Sequence, residues 1–232
     1  MKRIGLIVVD NNGGSEYDFW KMSPKGVGIF TTRMKMRESI SPFLHEPKDI
    51  EEFKKELYEE ASKIADLVDV IVYQRTFGTH KNIQIIRDIL SSFNKPYVIA
   101  EESAIKIFKE LEINKIWIFT PYGLERTLEE VDYFKDNGFD VTGYTYLGLK
   151  NGLEYSNVDY RTIFLSLLKS KVSKESEAIY LHCTNIVTYN AIKSLSRTYG
   201  IPILSENSAS LILALRELEL KEEKRKSIQD IR

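Results

Sequence analysis

DVIVYQRT at Asp69–Thr76 and EAIYLHCT at Glu177–Thr184 are the two stretches whose reading decides the fold. Each opens on an acidic residue, runs through four apolar positions and ends on a threonine. Laid over one another, they put Arg75 on Cys183 and Thr76 on Thr184. Two further pairs follow in the same order along the chain: RIGLIV from Arg3 with KIWIFT from Lys115, and P-Y-V-I before Glu102-Ser103-Ala104 with P-I-L before Asn207-Ser208-Ala209. The chain therefore reads as two similar halves, the second beginning near residue 101.

Working outward, short apolar runs lie at 4–9, 27–30, 68–73, 96–99, 116–119, 139–144, 178–181 and 201–204. Such runs suit strands buried on both faces of a parallel sheet. Between them, stretches at 48–67, 102–112, 123–136, 159–170, 186–198 and 207–226 carry apolar residues three and four apart, the spacing of an amphipathic helix. Alternation of the two predicts an α/β fold of two Rossmann-like or flavodoxin-like lobes. Each lobe is a roughly four-stranded parallel sheet flanked by helices, and a pseudo-twofold relates the two with the active site in the cleft between them. No Pro/Gly/Ser-rich linker separates the halves, so close packing is expected. The last helical stretch is expected to cross back, giving a first lobe of residues 1–100 plus 205–232 and a second of 101–204.

Composition narrows the function. With 43% hydrophobic and 29% charged residues, the 232-residue chain is an ordinary globular one. Thirty-three Lys plus Arg against 34 Asp plus Glu leave a formal net charge of −1, so no chain-wide field recruits nucleic acid or an anionic membrane. No apolar run approaches a membrane span, and the first, Ile4–Val9, is too short for a signal peptide core, so a cytoplasmic location is expected. One cysteine excludes an internal disulfide, and His45, His80 and His182 lack the spacing of a zinc site; no metal or cofactor is expected. KEEKRK at Lys221–Lys226 reads as a solvated helix end.

Ligands of open α/β sheets bind beyond the carboxyl ends of the strands. Those ends carry Asp10-Asn11-Asn12-Gly13-Gly14-Ser15, Arg75-Thr76-Phe77-Gly78-Thr79, Thr120-Pro121-Tyr122-Gly123 and Cys183-Thr184-Asn185. Each loop alone is ordinary turn chemistry. Converging on one edge, they form a cleft rich in hydroxyl, amide and backbone donors, suited to a small carboxylate or dicarboxylate. Neither G-x-G-x-x-G nor G-x-x-x-x-G-K-[ST] occurs, so nucleotide readings fall away. Cys183 is the candidate acid or base, its pKa expected to be lowered by a helix beginning near Ile186 and capped by Thr184. Arg75 is expected to face it as a fixed cation, either pairing with a ligand carboxylate or holding the thiolate. His182, one residue before Cys183, should point the opposite way and be structural.

With these residues in place, the chain resembles the aspartate/glutamate racemase superfamily, in the branch of maleate cis-trans isomerases and arylmalonate decarboxylases. The resemblance rests on R-I-G-L-I-V with Asn12, Glu16 and Phe19-Trp20, on V-G-I-F-T-T-R-M (27–34), on Thr120-Pro121-Tyr122 and on Cys183-Thr184-Asn185. It implies Cys183 as catalytic residue and Asn12, Tyr122 and Asn151 as substrate-binding residues, Asn151 or its neighbour Gly152 supplying the isomerases' further substrate contact; the reading of the strand ends adds Arg75, Thr76, Thr184 and Asn185 to the substrate-binding set. Racemases and isomerases of this kind carry a second cysteine, which would fall at Arg75. Arylmalonate decarboxylases keep only the second-lobe cysteine, which protonates the intermediate left by loss of carbon dioxide. The resemblance thus implies a cofactor-independent lyase or isomerase at the carbon next to a carboxylate, decarboxylase-like with Cys183 as proton donor. Maleate isomerisation or racemisation with an altered first-lobe site stands as one alternative, and a bilobed carboxylate-binding protein without catalysis as another. Family members often associate, which leaves room for a homo-oligomer.

Overall fold

The computed structural model describes residues 1–35, 47–76 and 78–218. The first lobe holds β1 (Lys2–Val9), β2 (Val27–Met34), β3 (Val70–Tyr73) and β4 (Tyr97–Ile99), in the spatial order β2-β1-β3-β4. The second holds β5 (Lys115–Thr120), β6 (Asp140–Tyr146), β7 (Ala178–Leu181) and β8 (Ile203–Ser205), in the order β6-β5-β7-β8. Every strand pair is parallel. The helices are α1 (Ser15–Met22), α2 (Pro47–Ala65), α3 (Ile83–Ser91), α4 (Ala100–Glu110), α5 (Leu124–Asp136), α6 (Gly152–Ser156), α7 (Tyr160–Ser170), α8 (Tyr189–Tyr199) and α9 (Glu206–Glu217). Two four-stranded parallel sheets flanked by helices are the architecture that the alternating pattern predicts.

The repeat extends to individual hydrogen bonds. Ile4 lies opposite Val70 and Ile116 opposite Ala178. The Arg3 amide donates to Asp69 Oδ2 at 2.8 Å, as the Lys115 amide donates to Glu177 Oε2 at 2.9 Å. At the far ends the Gln74 amide donates to the Ile7 carbonyl and the His182 amide to the Phe119 carbonyl, both at 2.8 Å. One predicted match slips by a residue. Ile71 pairs with Tyr97 and Ile179 with Ile203, so the sheet register makes Glu101, not Glu102, the counterpart of Asn207.

Each sheet is covered on both faces. Ile7, Ile71 and Tyr73 pack with Phe53, Leu57 and Ile86 of α2 and α3, while Trp117, Phe119, Ile179 and Leu181 pack with Ile163, Leu167, Ala191 and Leu195 of α7 and α8. The opposite faces, Ile4, Leu6 and Val8 on β1 and Ile116 and Ile118 on β5, share one core built around α4 and α9. These helices pack on each other, and each follows its own lobe's last strand yet reaches the other lobe. Phe108 of α4 meets Phe139 and Tyr180 edge-on in the second lobe, while α9 lies against β3 and β4 of the first. Every residue of α9 from Glu206 to Leu215 is buried, as a helix enclosed on all sides requires. A capping box starts it: Ser205 Oγ accepts the Ser208 amide at 3.0 Å, and Ser208 Oγ accepts the Ser205 amide at 2.9 Å. Lys221–Lys226, Phe77 and His45 lie outside the described residues. Among the described residues no helix is long and apolar enough to cross a membrane.

Candidate active site

The ends of β1, β3, β5 and β7 open on one cavity, lined by Val9, Asn11, Asn12, Arg75, Thr76, Tyr122, Arg126, Gly152, Tyr155, Cys183, Thr184 and Asn185. The structure therefore brings together all the expected site residues except Asn151. Asn151 sits on the exposed side as the N-cap of α6, its Oδ1 accepting the Glu154 amide at 3.1 Å and its Nδ2 donating to Glu154 Oε1 at 2.9 Å. Gly152 takes the place in the cavity wall that the resemblance implied for an asparagine side chain.

Cys183 follows the last ladder bond of β7 and carries φ +118°, a conformation that a residue with a Cβ holds only under constraint. Three hydrogen bonds impose it. The Cys183 amide donates to Glu206 Oε2 at 2.9 Å, the Thr184 amide to Thr76 Oγ1 at 3.0 Å, and the Asn185 amide to Cys183 Sγ at 3.4 Å. The expectation of a lowered thiol pKa is overturned. Burial pushes the Cys183 thiol up to about 12, against smaller opposing pulls from the Tyr122 hydroxyl and the Asn185 amide. The reason is local: α8 begins only at Tyr189, and its N-cap position is Thr188 rather than Thr184.

The first-lobe loop is tied to this turn. Asn12 Oδ1 accepts the Ser15 amide at 3.0 Å, and Asn12 Nδ2 donates to Thr184 Oγ1 at 3.2 Å. Asn185 Oδ1 accepts the Gly13 amide at 2.8 Å, while Asn185 Nδ2 donates to the carbonyls of Gly152 at 2.8 Å and Asn11 at 3.1 Å. Both donors of that side-chain amide are therefore engaged by the protein itself. Gly14 is required here, because a Cβ would stand 2.7 Å from the Asn185 carbonyl carbon and oxygen. Thr76 Oγ1 donates to Glu206 Oε2 at 2.6 Å, so its hydroxyl proton is likewise engaged. Burial raises the Glu206 carboxyl to about 7, the Thr76 and Cys183 donors pulling against it.

Two wall residues escape a reading of strand ends. Arg126, in the first turn of α5, stacks its guanidinium 3.8 Å above the Tyr122 ring. Tyr155 of α6 meets the same ring edge-on at 5.3 Å. The one sequence signal for Arg126 is its place four residues after Tyr122. Among the described lining residues, Arg75 and Arg126 are cations and none is acidic, so the cavity suits an anion. His182 points to the opposite face as expected, fully buried, and burial lowers its pKa to about 3.

Comparison with known proteins agrees with this geometry. Residues 49–228 match the family described as arylmalonate decarboxylase. The chain is 20% identical to a maleate isomerase of Nocardia farcinica over 95% of its length and 91% of the relative's. A maleate isomerase of Geobacillus stearothermophilus is 24% identical over 54% of this chain and 50% of that one. Among solved structures, a maleate isomerase of Pseudomonas putida superposes with a TM-score of 0.79 at 19% identity, covering 94% of this chain and 93% of that one. Unliganded arylmalonate decarboxylase gives 0.72 at 15%, covering 94% and 92%. The chain belongs to the arylmalonate decarboxylase family, in the branch of the aspartate/glutamate racemase superfamily that also holds the maleate isomerases.

Proposed function

We propose that the protein is a cofactor-independent decarboxylase of a small malonate-type dicarboxylate, with Cys183 as the proton donor. The observation that carries this reading is a single thiol in the cavity wall, held protonated by burial, with an arginine at the corresponding position of the other lobe. Arg75 pairs with the carboxylate that stays. The carbon–carbon bond to the other carboxylate breaks, carbon dioxide leaves, and the electron pair delocalises into an enediolate. The hydroxyls of Tyr122 and Thr184 stabilise that oxyanion, each such donor contributing ~3 kcal/mol in favourable geometry. Sγ–H of Cys183 then protonates the α-carbon from one face, and solvent restores the thiol.

Two-base racemisation needs a proton acceptor on each face, and a guanidinium has no free lone pair to serve as one. Isomerisation of a maleate-type diacid with Cys183 as nucleophile is the second reading. It is supported by the likeness to a maleate isomerase, 20% identical over 95% of the chain. It requires a thiolate that burial disfavours.

The test incubates wild type and Cys183→Ala with methylmalonate, phenylmalonate and maleate in heavy water. Carbon dioxide release with deuterium delivered to one face, lost in Cys183→Ala, supports decarboxylation. Conversion of maleate to fumarate without carbon dioxide selects isomerisation. Tight binding of a diacid with no turnover selects a carboxylate-binding protein, and turnover by Cys183→Ala overturns both thiol mechanisms.

A further inference from the structure

The two lobes bury polar clusters at corresponding places, behind the ends of β3 and β7, and the clusters differ in kind. On one side Asp18 of α1 is saturated. Its Oδ2 accepts Thr188 Oγ1 at 2.6 Å, the Thr188 amide at 2.9 Å and Asn207 Nδ2 at 2.9 Å, and Gln74 Nε2 donates to Asn207 Oδ1 at 2.8 Å. On the other side Glu130 of α5, Glu101 of α4, His80 and His182 fill the corresponding places. Here donors are missing. Both carboxylate oxygens of Glu130, Oε2 of Glu101 and both ring nitrogens of His182 are buried without a well-aligned donor or acceptor, the nearest approaches being Glu130 to Glu101 and His182 Nε2 to Glu130 Oε2 at 3.3 Å. A buried carboxylate with neither oxygen well partnered is a costly arrangement unless something else completes it.

We propose that His80, Glu101 and Glu130 form a divalent metal site that joins the loop after β3 to α4 and α5. Their ligand atoms, one from each side chain, lie within 4.8 Å of one another. Glu101 and Glu130 are fully buried, and the His80 side chain, 18% exposed, leaves a way in. The His80 ring is held by stacking on Tyr133, with centroids 4.6 Å apart, and its Nδ1 stands 2.8 Å from Glu101 Oε1. One imidazole nitrogen and two carboxylates match zinc, manganese or ferrous ions, and a dication balances the two negative charges. His182 Nε2, 3.3 Å from Glu130 Oε2, is placed to steady that ligand from behind. The site lies off the cavity and is independent of the decarboxylase reading.

The experiment strips the purified full-length chain with a chelator, adds Zn²⁺ or Mn²⁺ separately, desalts, and reads bound metal by atomic emission alongside the melting temperature. The expected result is one ion per chain and a raised melting temperature. Glu130→Gln and His80→Ala should each weaken uptake by about tenfold or more. Glu130→Gln removes a buried charge, so its metal-free fold should survive, and His80→Ala alters a partly exposed position. Cys183→Ala should bind as wild type does. Wild-type uptake below about a tenth of an ion per chain, where stoichiometric binding is expected, overturns the proposal. So does uptake that survives both substitutions, or uptake that depends on Cys183 instead.

Discussion

Thr76 and Thr184 hold corresponding positions at the ends of β3 and β7 and meet across the lobe boundary, the Thr184 amide donating to Thr76 Oγ1 at 3.0 Å. Thr76 passes its own proton to Glu206 at 2.6 Å. The hydroxyl is thus both acceptor and donor in a dry place. Thr76→Val should leave the Thr184 amide unpartnered and Glu206 Oε2 with the Cys183 amide alone, at a cost of about 1–3 kcal/mol in urea unfolding. Thr76→Ser should cost under about 1 kcal/mol, because it keeps the oxygen.

Cys183 should be slow to alkylate. With its pKa at about 12, the thiolate fraction at pH 8 is roughly a thousandth of that of an ordinary thiol. The iodoacetamide rate of the native protein should therefore lie about a thousandfold below that of the unfolded chain and keep rising past pH 10. A rate that levels off below pH 8 would disprove the protonated thiol.

Glu206 ties stability to pH. Its carboxyl is raised from 4.5 in the free state to about 7 when folded, so the folded chain holds the extra proton between those values. This contribution is full below pH 4.5, declines as pH rises towards 7, and is lost above it. Glu206→Gln imitates the protonated form. Relative to wild type, that variant should gain melting temperature between pH 5 and pH 8, up to about 3 kcal/mol in stability.

Arg75→Ala should weaken binding of malonate or maleate by about tenfold or more in calorimetry, as loss of a charge-assisted pair in a partly buried site implies. Arg75→Cys should do more than weaken. It supplies the second thiol, and exchange of α-hydrogen from both faces in heavy water should appear where wild type shows one.

Asn151→Ala should cost about 1 kcal/mol in stability through loss of the α6 cap and leave ligand affinity unchanged. A large loss of affinity would return Asn151 to the cavity wall.

The architecture was legible because buried parallel strands write short apolar runs, and because a duplicated unit writes them twice. Arg75, Thr76, Cys183 and Thr184 were legible for the same reason: strand ends are marked by the runs that precede them. Arg126 and Tyr155 were not, since each enters the wall from a helix whose rotation only packing fixes. Glu130 lies in an amphipathic helical stretch, where acidic residues ordinarily face water, and Glu101 and Glu206 stand one residue before two others, in the first turns of α4 and α9; their burial is a property of the assembled lobes. The thiol pKa was misjudged because adjacency to a helix in sequence does not aim the helix at the sulfur.

The exchange of α4 and α9 between lobes bears on the order in which the chain is made. The part of the first sheet at β3 and β4 is translated well before α9, which packs on it and, among the described residues, follows every strand. That patch of apolar surface stays without this helix until β5 to β8 have been made. Docking of α9 is then the event that joins the two halves, and a chain truncated before Glu206 should accumulate as an aggregation-prone intermediate rather than as a folded half.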